Sequence, residues 1–129
     1  MKKNLVLSLI VMILIGSCKK DKEDISISLK GKWTLENTIT KDYDNGLLTD
    51  TNTEPGDGTT VDFQNNGNVV ITSPGGIESF PYSIKSDSKV EINGDIAEVR
   101  SLTGSSVTLF SRDDFAPNQY EEVFLNLRR

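Results

Sequence analysis

The 129-residue sequence has no histidine and a single cysteine. Without imidazole, neither a Ser-His nor a Cys-His nucleophile pair can be assembled. With one thiol there is no internal disulfide framework. Aromatic residues make up only 7% of the chain, so its core must be built mainly from aliphatic side chains. Past residue 15 no apolar run approaches the roughly 20 residues that cross a hydrocarbon core. No stretch of ten or more residues repeats its apolar positions with a 3.6-residue period, which argues against long amphipathic helices.

What is present begins with a segment of distinct character. Lys2 and Lys3 precede an apolar run from Leu5 to Ile15 broken only by Ser8. A positive start, a short apolar centre and small residues at its end read as a secretory signal peptide, helical and then removed. It is too short for a spanning helix. The next residues, Ile15-Gly16-Ser17-Cys18, resemble the lipobox of bacterial lipoproteins. That resemblance implies lipidation of the Cys18 thiol and cleavage before it, giving a signal peptide over 1–17. Several acyl chains on one residue anchor a protein stably, where a single chain holds only marginally.

Removing Lys2 and Lys3 from the 14 basic residues leaves 12 against 19 acidic ones, a charge of −7 for the mature part. An acidic chain is a poor partner for nucleic acid, whose binding rests on neutralising phosphates with Lys and Arg. The expected membrane contact is therefore the lipid alone. The tether, residues 18–26, runs Cys-Lys-Lys-Asp-Lys-Glu-Asp-Ile-Ser; it is charged and without aromatics, and so flexible and solvated. Its acidic residues resemble lipoprotein export signals that lead to the outer face of the outer membrane, while its lysines dilute that character. The expected location is the outer membrane, on the cell surface or the periplasmic face.

Residues 27–129 suit one small domain. Short alternations of apolar and polar residues are separated by Gly, Asn, Asp and Pro, the punctuation of an all-β protein. The first strand, 29–39, sets Leu29, Trp33, Leu35 and Ile39 on one face. Residues 41–58 are rich in turn formers and have no apolar run. Strands at 59–64 and 68–73, joined by Asn65-Asn66-Gly67, turn Val61, Phe63, Val69 and Ile71 inward. A fourth, 78–85, alternates Phe80, Tyr82 and Ile84, with Pro81 marking an edge, a bulge or weak pairing. Strands at 89–92 and 96–101 flank Asn93-Gly94-Asp95, and strands at 106–112 and 120–127 complete the set. In the last of these, Val123, Leu125 and Leu127 share one parity and Tyr120 and Phe124 the other, leaving its facing open. Eight antiparallel strands fit a closed up-and-down barrel or a two-sheet sandwich equally well.

Leu29-Lys30-Gly31-Lys32-Trp33-Thr34-Leu35 resembles the Gly-x-Trp opening of lipocalins and the fatty-acid-binding-protein superfamily. The runs from Val61 to Val69 and from Val99 to Leu109 are similar to the short lipocalin-like domains of many bacterial lipoproteins. The resemblance implies a small eight-stranded antiparallel up-and-down barrel over 27–129, following the signal helix and the tether. It implies a structural motif in which Trp33 lies across the closed end, Gly31 permits close backbone approach, and Arg128 or Arg129 stacks on the indole.

Two functional readings follow. In one, the barrel of a monomeric lipoprotein binds a small apolar or amphipathic molecule, with Val61, Phe63, Phe80, Tyr82 and Leu109 lining the site. In the other, those residues are core, and a filled barrel binds a protein or glycan through residues 41–58 and 113–119. Enzymatic activity is not expected: Glu121 and Glu122, adjacent in a strand, point to opposite faces. No cofactor is implied. Asp42-Tyr43-Asp44-Asn45-Gly46 has an acidic start, but an EF-hand calcium loop needs Gly at its sixth position and Glu at its twelfth, and counted from Asp42 this chain has Gly46 fifth and Thr53 twelfth. No metal site is expected.

Overall fold

The computed structural model describes residues 29–85 and 88–129. The expected signal peptide, Cys18 and the expected tether lie outside the described residues. The strands are β1 (Gly31–Asp44), β2 (Leu47–Pro55), β3 (Thr60–Phe63), β4 (Asn68–Ser73), β5 (Gly76–Lys85), β6 (Lys89–Ile92), β7 (Asp95–Arg100), β8 (Ser106–Ala116) and β9 (Gln119–Arg128). Each of β3 to β8 pairs antiparallel with the next, and β9 and β3 both pair with β1. Those eight strands close a barrel, which removes the free edges a sandwich would leave. β2 is an additional strand on β1.

β2 and β3 lie end to end along the same edge of β1: Asn37 to Asp44 of β1 face β2, and Gly31 to Thr34 face β3. Most of residues 41–58, expected to be turns, thus form a strand hairpin that reverses at Asn45-Gly46, while Asp57-Gly58 is a turn as expected; all four residues are at positive φ. All nine β2 residues are exposed, and ladder pairing to β1 holds the strand. Between β2 and β3, Gly56 donates its amide to the Glu36 carbonyl at 3.1 Å, and Leu35 donates to the Thr59 carbonyl at 2.8 Å.

Opposite this break, β1 carries a bulge. Leu35 faces Leu127 but Asn37 faces Asn126, so Glu36 is one residue too many for β9. A bulge reverses the inside-outside alternation beyond it. Trp33 and Leu35 face the core, whereas Ile39, expected beside them, faces outward opposite Phe124.

The core contains Leu29, Trp33, Val61, Phe63, Val69, Val90, Val99, Val107, Leu109 and Leu127, with Ile71, Phe80, Tyr82, Ile84 and Leu125 packed against it. Leu127 and Leu125 settle the facing of β9: its odd residues point inward and Phe124 outward. Pro81 occupies a handover. It faces Asn68 at the end of the β4 ladder, and its carbonyl accepts from the Asn93 amide at 2.9 Å where β6 begins to flank β5. The missing proline N–H therefore interrupts no ladder.

The walls differ in height. β1, β2, β8 and β9 have 14, 9, 11 and 10 residues, against 4 for β3 and β6. Their far ends form a four-stranded extension, β2-β1-β9-β8, standing above the barrel. At its crest the two hairpin tips are joined, the Gly46 amide donating to the Asn118 carbonyl at 3.3 Å and the Gln119 side-chain amide to Asp44 at 3.2 Å.

Candidate functional site

Three regions carry unusual chemistry: the end where the chain enters, the inner face of the extension, and its outer face.

At the entry end the indole N–H of Trp33 donates to the Leu29 carbonyl at 2.8 Å, and both residues are fully buried. The Arg129 guanidinium lies 4.0 Å from the Trp33 ring centre and donates to the carbonyls of Lys30 at 2.8 Å and Gly104 at 3.1 Å. Gly31, at φ +109°, makes room: a Cβ there would come within 3.2 Å of the guanidinium. Next to it, Phe63 meets Tyr82 edge to face at 5.1 Å, and the Tyr82 hydroxyl donates to the Gln64 carbonyl at 2.6 Å. Burial, and then the nearby Asp62 charge, hold the Tyr82 phenol above its ordinary pKa. These groups close the barrel end, and an open depression of about 450 Å³ lined by Lys30, Gly31, Asp62, Phe63, Gln64 and Asn65 lies at its surface.

The five residues expected to line a cavity are brought together in and against the buried core. Val61, Phe63 and Leu109 are buried members of the core, at 7%, 1% and 3% exposure, and Phe80 and Tyr82 lean on it.

On the inner face of the extension, directly opposed residues form a row across four strands: Asp50, Asp42, Glu121 and Asp113. Partial burial, the Asp42 charge and hydrogen bond, and the Asp113 charge all raise the Glu121 pKa. Among the described residues no three such groups converge to hold a metal ion. The loop-like segment at 42–46 is the end of β1 and its turn.

The outer face has opposite character. Tyr43 stacks on Tyr120 at 4.6 Å with an interplanar angle of 17°, and the Arg112 guanidinium covers Tyr120 at 3.7 Å. A hydrogen bond with Glu122 raises the Tyr43 pKa. One step toward the barrel, Phe110 and Phe124 lie 5.1 Å apart; Arg100 covers Phe110 at 3.6 Å and Lys41 covers Phe124 at 5.2 Å. Below them Thr108 donates to Asn126 at 2.7 Å, and Asn126 donates to Asn37 at 2.7 Å. A groove of about 310 Å³ lies here between Lys41 and Arg100, with Ile39 and Phe124 as its apolar part. Sequence alternation missed it because the Glu36 bulge decides which β1 residues face outward; the paired parity of Tyr120 and Phe124 was the one available signal.

The exposed large hydrophobic residues also share a location. Leu47, Leu48, Ile77, Ile96 and Phe115 all lie within a few residues of the turns after β1, β4, β6 and β8. In an up-and-down barrel those four turns are at one end, and it is the end opposite Trp33 and the entering chain.

No protein-family model matches the sequence, and a search of curated proteins finds no match.

Proposed function

We propose that this protein is a non-catalytic, lipocalin-like lipoprotein, anchored in the outer membrane through Cys18, whose distal end docks a partner protein. The observation that carries the reading is the placement of Leu47, Leu48, Ile77, Ile96 and Phe115 around the end farthest from the entering chain. An anchor preceding Leu29 would hold the closed end toward the membrane and turn this rim outward. Apolar residues ringed by polar ones are the composition of a protein-binding surface. The carboxylates Asp42, Asp50, Asp113 and Glu121 beside them favour a partner with basic groups. The lipocalin-like reading is supported by the eight-stranded closed barrel and by the Arg129–Trp33 stack, on top of the resemblance in sequence.

The reading with a small apolar ligand inside draws support from the fold and from the half-buried Phe80, Tyr82 and Ile84. Packing of Val61, Phe63 and Leu109 weighs against it.

Two measurements on intact cells test the proposal. Labelled palmitate should be incorporated into the wild type and not into Cys18→Ala. A photo-crosslinker at Leu47 or Phe115 should give one discrete protein adduct, and one at Lys30 should not. Equal adducts from both ends, or none from the distal end, would reject distal docking, and a saturable fatty-acid probe displaced by unlabelled lipid would favour the interior ligand instead.

A further inference from the structure

The outer groove of the tall wall belongs neither to the closed end nor to the distal rim. We propose that it is a binding site for a ring-sized organic anion, whose flat apolar face lies on Phe124 and Ile39 and whose carboxylate pairs with Arg100, with Lys41 supplying a second positive charge.

Charge sign is the first support. The chain as a whole has a net charge of −5, yet the groove lining contains two cations, Lys41 and Arg100, and no carboxylate. Neither cation is fully neutralised. Arg100 shares one nitrogen, Nη2, with Glu98 at 3.3 Å, which leaves most of its five N–H donors for other acceptors. Lys41 has no carboxylate within ion-pair distance among the described residues; its cross-strand neighbour Glu122 is engaged by the Tyr43 hydroxyl.

Preorganisation is the second. Stacking on Phe110 at 3.6 Å fixes the plane of the Arg100 guanidinium, and a fixed fork loses less freedom when it grips a carboxylate. The hydrogen-bonded chain from Thr108 through Asn126 to Asn37 holds the polar side of the groove rigid. Ser101, at φ +52°, ends β7 immediately after Arg100 and keeps both residues at the rim. The Lys41 ammonium lies 5.2 Å from the centre of the Phe124 ring, and moving it onto an incoming anion uncovers that face of the ring. Size is the third: at about 310 Å³ the groove is at the small end of ligand pockets, which span about 300–1,000 Å³. One ring fits this volume.

An acidic sugar and an aromatic acid share this chemistry, and a titration separates them. The protein, isotopically labelled, is titrated with galacturonate and with benzoate, and in parallel with neutral galactose and benzyl alcohol, while its NMR resonances are followed. One of the anions should shift the signals of Ile39, Phe124 and Asn126 saturably. Lys41→Gln and Arg100→Gln should each weaken that binding about tenfold or more, the scale of a lost charge-assisted hydrogen bond. The neutral analogue should bind no better than the variants. Preference for galacturonate identifies a sugar acid, and preference for benzoate an aromatic one. The buried Trp33 indole signal reports that each variant is folded; should Arg100→Gln lose it, Lys41→Gln decides, since Lys41 holds up no core residue. The proposal is overturned if neither anion moves these resonances, or if the shifts are unchanged in the variants.

Discussion

Arg129, the last residue of the chain, covers Trp33, almost a hundred residues earlier, at 4.0 Å, and donates to the backbone on both sides of it, at Lys30 and Gly104. One side chain thereby joins the start of β1, the loop before β8 and the end of β9. Arg129→Ala should lower stability by about 1–3 kcal/mol, the sum of a cation–π contact and lost hydrogen bonds to a charged donor. Arg129→Lys should recover only part, because an ammonium cannot stack and reach both carbonyls. Urea unfolding followed by Trp33 fluorescence reads both. An Arg129→Ala midpoint equal to wild type would mean the contact contributes nothing.

Gly56 should tolerate no side chain. A Cβ there would overlap the Leu35 carbonyl oxygen, which is main chain and has no rotamer to escape into. The approach is enforced by the Gly56 amide bond to Glu36. Gly56→Ala is expected to cost about 3 kcal/mol, the upper end for overpacking, in the same unfolding assay. Gly46→Ala, with open space around its Cβ and only its positive φ to strain, should cost about 1 kcal/mol.

Tyr82→Phe removes a 2.6 Å hydrogen bond to the Gln64 carbonyl while keeping the ring against Phe63. The expected loss is about 1 kcal/mol. Tyr82→Ala, which also empties the ring's volume, should lose about 3–5 kcal/mol. Thermal and urea midpoints for the two variants should differ accordingly, and near-equal values would show that the ring contributes little.

The acidic row gives a pH dependence of defined sign. Burial and the neighbouring Asp42 and Asp113 raise the Glu121 pKa in the folded state, so the folded protein binds this proton more tightly than the unfolded one. Stability from this group is greatest below the ordinary carboxylate pKa and declines as pH rises through the raised value. Glu121→Gln should flatten that decline and stabilise the protein near neutrality by up to about 1 kcal/mol at low salt, the scale of relieved like-charge pairs across strands. Added salt should shrink the gain. Unfolding free energies from pH 4 to pH 8 at two ionic strengths decide it; an unchanged slope in Glu121→Gln would show that the row is already screened.

Much of the barrel is written locally. The alternations at Val61, Phe63, Val69, Phe80, Tyr82 and Ile84, and the Asn-Gly pairs at 66–67 and 93–94, specify which residues point inward and where the chain reverses, because strand facing has a period of two and tight turns need residues at ease with positive φ. The absence of histidine likewise decides, without any fold, that imidazole chemistry is excluded. The tertiary structure decided the rest, each time through a partner distant in sequence. β1 meets β9 with one residue to spare, and that mismatch at Glu36 reverses Ile39 and Lys41 to the outside. The β1–β2 hairpin holds together through ladder hydrogen bonds, which leave no mark on hydropathy. Barrel closure settled the facing of β9 that two competing parities left open, and so put Phe124 and Leu125 on opposite sides of the wall. Of the two terminal arginines, only the three-dimensional path of β9 could select Arg129 for the indole, since local pattern fixes which way a side chain faces but not what it meets.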